Sequence, residues 1–183
     1  MARLAAVPAR VLLGGVVLTV LVAALLFLVW PMPEVERLGG GPILDTRFMA
    51  SGSDAPEYLA ALGERGRRLY ALFAVADMAW AVLHGLTVAA CTAVGVSRSR
   101  LDDRLVVLAT VPLAYLALDL VENASVLAAL AAHPRPPPVP AGLLDVVTSL
   151  KFLSLGVAYA GLLVGLVAWA RAARGQGASR RGR

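Results

Sequence analysis

The chain has 183 residues, 59% of them hydrophobic and only 16% charged, with a mean hydropathy of +0.76, whereas a soluble domain of this size has about a quarter of its residues charged. The net charge of +5 does not mark a nucleic-acid binder, because the arginines cluster beside apolar runs and few aromatics are present to stack bases. The single cysteine, Cys91, excludes an intramolecular disulfide and a thiol metal centre and reads as a small packing residue within a helix. No metal-ligand pattern or cofactor motif is present, and the length suits one bundle over residues 1–183.

The first apolar run, Val11 to Trp30, has about twenty residues, enough to cross a hydrocarbon core of about 30 Å at about 1.5 Å per residue. A cleaved signal peptide would have a shorter apolar region, about 7–15 residues, ending at a small-residue site. This run ends instead in Trp30-Pro31-Met32-Pro33, so an uncleaved signal anchor is expected. A loop follows over 31–68. Its Gly39-Gly40-Gly41-Pro42 forms a flexible turn, and Asp54-Ala55-Pro56-Glu57 has a capping residue, an early proline and an acid in the order that starts a helix. Leu59 and Leu62 would lay that short helix on the bundle or the membrane, with Gly63 or Gly66 ending or bending it.

Three further spans are predicted at 69–96, 105–131 and 143–170, joined by the charged segment Ser97–Arg104 and a proline-rich extended hairpin at His133–Pro140. Pro112 should kink the third span. Gly161 and Gly165, four residues apart in the fourth, permit close helix approach, either within the bundle or in a dimer. Residues 171–183 read as a disordered basic tail. The fold class is therefore all-α, a polytopic four-transmembrane-helix bundle with an extracytoplasmic loop between the first two helices.

Charge sets the expected orientation. The N-terminus, the Ser97–Arg104 segment and the tail hold two, three and five arginines, ten in all, whereas the five arginines of the first loop are offset by six acids. Both termini are thus expected in the cytoplasm. The bias toward Ala, Val, Leu, Gly and Arg points to a GC-rich bacterial genome, and so to a bacterial inner membrane.

Within the spans stand residues that a bilayer excludes unless they are paired or line a cavity: Asp77, His84, Asp119, Glu122, Asn123 and Lys151. Asp77 lies eight residues from the outer end of its span, Glu122 nine, Asp119 twelve and Lys151 eight, so three helices bring ionisable groups to nearly one level. Their facing agrees. Tyr70, Asp77 and His84 form one stripe with Phe73 and Trp80; Tyr115, Asp119, Glu122 and Asn123 form another; Thr148, Lys151 and Tyr159 form a third. Three carboxyl groups would face one ammonium and one imidazole, so at least one carboxyl should be protonated or share a proton. Lys151 should pair with Glu122 or Asp119, leaving an acid beside His84 free to take a proton or a cation. The alternative is purely structural, with the same groups locking helix register. Asn123-Ala-Ser125 matches a glycosylation sequon but lies inside a span and is discounted.

In these positions the chain resembles a group of small four-helix integral membrane proteins for which no activity is established. The resemblance runs through Gly40-Gly41-x-x-Leu44-Asp45 with Arg47, then Gly66-Arg67-x-x-Tyr70, Asp77, Asp119-x-x-Glu122-Asn123, Pro134 and Thr148-x-x-Lys151, and departs at Met49, where an aromatic is expected nearby. It implies that the polar positions form one constellation, joined by Asp45, Arg47 and Arg67 from the loop. Function stays open among three readings. The first is a small-molecule or lipid-binding pocket with carboxyls placed for proton transfer. The second is a non-enzymatic accessory subunit with a membrane-protein partner, its basic tail on anionic lipid. The third, proton or cation transport, is disfavoured because the inner half of the bundle has few polar groups.

Overall fold

The structure is a computed structural model that describes residues 7–47, 54–99, 102–135 and 141–181. Met49 and residues 136–140 of the proline-rich hairpin lie outside them. Every regular element among the described residues is helical. Helix α1 spans Ala9–Ala23 and widens into a π-helical turn over Ala24–Val29. The loop carries α2, Met32–Gly39, a 3₁₀ turn at Leu44–Thr46, and α3, Ala55–Ala61. Helix α4 is Gly63–Ser97, α5 is Val111–Ala132 after a 3₁₀ segment at Asp103–Thr110, and α6 is Ala141–Arg181. Four segments are long and apolar enough to cross a membrane, over Ala9–Gly39, Gly63–Ser97, Arg104–Ala132 and Gly142–Arg174.

The outer faces of these segments fit hydrocarbon. Leu28, Leu153 and Leu163 are all more than half exposed, a pattern that water would penalise and lipid does not. Helices α4, α5 and α6 pack on one another, while α1 lies at the edge, with Thr19 its one buried residue. It is fastened to α4 by Trp80 Nε1, which donates to the Thr19 carbonyl at 3.0 Å, and by Phe27, whose ring meets Phe73 and Trp80 edge-on. At the opposite end of α4, Arg98 donates to the Val7 carbonyl at 2.6 Å.

Local chemistry explains the breaks. Pro112 stands in the first turn of α5, directly after the 3₁₀ segment, and leaves out one backbone hydrogen bond of the span. The span changes there from the tighter 3₁₀ segment Asp103–Thr110 to α-helix. Gly40 closes α2 in the left-handed conformation at φ +72°, and Gly63 separates α3 from α4 at φ +63°. Asp54 occupies the cap position of α3, but its side chain makes no capping bond and lies 3.5 Å from Arg47. Leu59 and Leu62 are buried against the bundle. Composition marks a tail from Arg171, yet α6 continues through Arg171–Arg174, which are good helix formers, and on to Arg181.

The best-buried apolar residues gather at the loop end, where Val35, Ile43, Leu44, Tyr58 and Leu59 sit on Tyr70, Phe73 and Val126. The loop is therefore packed over the bundle as a cap. At the other end, α4 and α6 approach through glycine, and a Cβ on Gly95 would lie 2.9 Å from the Gly165 carbonyl carbon. The Gly161/Gly165 pair is used inside the bundle, with Gly161 over Leu108. Because backbone cannot yield as a side chain does, Gly95→Ala should lower stability by about 1–3 kcal/mol, read as thermal unfolding in detergent. An unchanged melting temperature would show that the helices do not meet there.

Candidate functional site

The polar stripes of α4, α5 and α6 turn toward one another beneath the loop. Asp77, Asp119, Glu122, Asn123, Thr148 and Lys151 are all buried, with Glu122, Asn123 and Thr148 fully so. Lys151 is the hub. Its ammonium pairs with Glu122, lies 3.5 Å from Asp119 Oδ1, and donates to the backbone carbonyl of Asp45 at 3.1 Å. Thr148 donates its hydroxyl to the other oxygen of Glu122. The expected choice between Glu122 and Asp119 as partner of Lys151 resolves as both.

Asn123 joins the two remaining acids. Its amide Nδ2 donates to Asp77 Oδ2 and Asp119 Oδ2, each at 3.0 Å, and contacts the Asp119 carbonyl at 3.1 Å. Being fully buried, Asn123 is closed to glycosylation; Ser125 of the same sequon bonds the Val121 carbonyl at 2.8 Å. Two buried oxygens of the cluster, Asp77 Oδ1 and Asn123 Oδ1, accept no hydrogen bond. Buried polar atoms are rarely left so, and each one points to a role or to a missing partner.

The loop adds a fourth carboxyl group. Asp45, 3% exposed, accepts from the Tyr70 hydroxyl at 2.9 Å, and that hydroxyl in turn accepts from the Leu44 backbone N–H at 3.1 Å. Burial raises the Asp45 carboxyl above the usual carboxylate range, opposed by the nearby Lys151 charge and the Tyr70 hydrogen bond.

Two loop candidates lie elsewhere. Arg47 donates to the Pro42 carbonyl at 2.9 and 2.7 Å and sits 4.6 Å above the Tyr58 ring, while Arg67 donates to the Leu59 carbonyl at 3.0 Å. Both brace the loop through backbone carbonyls of its turns. His84 also separates from the acids. Its Nε2 is 2.8 Å from the Tyr159 hydroxyl, its ring stacks on Trp80 at 4.6 Å, and Tyr115 meets it edge-on at 5.2 Å. The acid expected beside His84 is replaced by this aromatic packing, because the histidine stands two turns from Asp77 along α4. Beyond His84 toward the far end, Thr92 is the buried polar residue of α4 among the described residues.

A cavity of about 150 Å³ opens beside the cluster. Asp45, Asp77, Asp119 and Lys151 form its polar wall, and Phe27, Phe73, Trp80, Tyr115 and Phe152 line it with rings. Phe73 and Trp80 belong to the α4 stripe that spacing reveals. Phe27, Ile43, Phe152 and Leu155 carry no polar signal and could not be told from ordinary apolar residues, and Thr46 is one hydroxyl residue of the loop. A larger groove of about 310 Å³ among α1, α4 and α6 is lined by aliphatic residues with Arg98 and Trp169. No group of His, Cys, Asp and Glu among the described residues is arranged to hold a metal ion. The chain matches no protein-family model, no curated protein and no solved structure.

Proposed function

We propose that this chain is a multi-pass protein of a bacterial inner membrane, with both termini cytoplasmic, that binds a small molecule or a lipid head group beneath its outer loop. The observation that carries the reading is the cavity itself, in which three acids and a lysine share a wall with five aromatic rings. Register-locking needs polar groups that satisfy one another, and here Asp77 Oδ1 and Asn123 Oδ1 are left unsatisfied. Ligand sites typically combine apolar walls with a few convergent polar groups. The volume is below the roughly 300–1,000 Å³ of a drug-sized pocket and near the roughly 150 Å³ that admits a benzene-sized guest, which favours a compact group. The arginine distribution supports the orientation, placing the cavity toward the extracytoplasmic face.

Transport is less well supported, since among the described residues the buried acids and Lys151 lie at the loop end, and beyond them α4 buries only His84 and Thr92 as polar residues. Native mass spectrometry of the chain purified in mild detergent tests the binding reading. The expected result is a stoichiometric small adduct on the natural chain that is lost in Leu155→Trp, which fills the cavity without altering an acid. A bare chain, or an adduct indifferent to that substitution, overturns it. A stoichiometric protein partner in place of the adduct would make the chain an accessory subunit.

A further inference from the structure

We propose that the cavity takes the ammonium group of an organic cation, with Asp77 as its counter-ion. This rests on the binding reading above and assigns the chemical class of the ligand.

The charge count is the first argument. Asp45, Asp77, Asp119 and Glu122 bring four carboxyl groups to the cluster, and Lys151 brings one ammonium. That ammonium has three N–H donors, and Glu122, Asp119 and the Asp45 carbonyl surround it. Asp45 is served by Tyr70, and the one amide group of Asn123 is divided between Asp119 and Asp77. Asp77 is thus the acid with an oxygen to spare, and it lines the cavity while only 4% exposed. A positive ligand completes this arrangement, and an anion would add to the excess of acids.

The walls narrow the class. Aromatic faces attract cations through the ring quadrupole, as the Phe152 ring already holds the Lys151 ammonium 5.1 Å from its centroid, and Phe27, Trp80 and Tyr115 stand in the same cavity as Asp77. Rings cannot replace the hydration shell of an inorganic ion, which demands several oxygen ligands. An alkylated ammonium brings its own apolar surface, loses water at small cost, and fits both kinds of wall. A cavity of about 150 Å³ accommodates such a group and leaves any longer substituent outside. The exposed Thr46 among the lining residues marks where that substituent would emerge. The ammonium could belong to a lipid head group or to a free amine.

Titration calorimetry on the full chain in a non-ionic detergent tests this with choline and its neutral isostere 3,3-dimethylbutan-1-ol, in which carbon replaces nitrogen. Choline should bind saturably and about tenfold or more tighter than the isostere. Asp77→Asn, which keeps the acceptor for Asn123, should weaken choline by a similar factor and leave the isostere unchanged. Phe27→Leu removes a cavity ring that packs on Phe73 and Trp80 and should also weaken choline selectively, so the proposal stays testable if the Asp77 variant does not fold. A short-chain phosphocholine lipid that binds tighter than choline assigns a lipid source, and choline binding without that gain assigns a free solute.

Equal affinity for the isostere, or choline binding indifferent to both substitutions, overturns the cation class. So does the absence of binding by either probe. In that last case an adduct lost in Leu155→Trp keeps the pocket reading alive, and a bare chain removes both.

Discussion

Lys151→Met should cost the fold roughly 3–5 kcal/mol, the largest loss from any single side chain of the cluster. The lysine is the one buried cation among the described buried polar residues, and it holds Glu122, Asp119 and the Asp45 carbonyl together. Methionine fills the same space, so the loss comes from charge and not from a void. Glu122 and Asp119 would be left in a low-dielectric interior without a counter-charge, a worse state than never having placed charges there. Glu122→Gln in the same chain should therefore recover part of the loss, because it removes one of the stranded acids while retaining an oxygen for Thr148. Thermal unfolding in detergent of the two single variants and the double variant gives the coupling directly. If the double variant is as unstable as the sum of the singles, the pair does not act as a unit and the hub description fails.

Tyr70→Phe should cost about 2–6 kcal/mol, through hydrogen bonds alone. One hydroxyl serves two buried groups, donating to Asp45 and accepting from the Leu44 N–H. Removing it strands both, at about 1–3 kcal/mol each, while the ring and its packing against Phe73 remain. The effect should be concentrated in the cap. Hydrogen exchange at the Leu44 amide should rise more than exchange along α5. The control is Tyr58→Phe, whose hydroxyl makes one longer bond of 3.3 Å to the half-buried Gly41 carbonyl and should cost about 1 kcal/mol or less. Unchanged protection at Leu44 would mean that the loop is held down by apolar packing and not by this hydroxyl.

These two residues show how the cluster and the cap are coupled. Lys151 reaches the Asp45 carbonyl across 106 residues of sequence, and Tyr70 reaches the Asp45 side chain across 25. The loop that covers the cavity is thus bonded to the polar groups that would hold a ligand. A charged guest beside Asp77 would act on the same network that keeps residues 43–46 in place.

The sequence alone determined the four apolar segments, the level at which the ionisable residues lie, and the faces they share. Those properties are local: span length follows from hydropathy, depth from the rise per residue, and facing from a period of about 3.6 residues. Tyr70, Asp77, Asp119, Glu122, Asn123, Thr148 and Lys151 could all be read in this way. Only the tertiary structure decided which of them touch. Asp45 joins Lys151, Arg47 and Arg67 brace the loop, and His84 turns to Tyr159 because of how the loop folds back and how the helices rotate about their axes. Rotation and chain reversal depend on packing between residues far apart in sequence, to which no local pattern is sensitive. The aromatic wall was hidden for the same reason: Phe27 and Phe152 are ordinary apolar residues of a membrane helix until α1 and α6 bring them to one cavity.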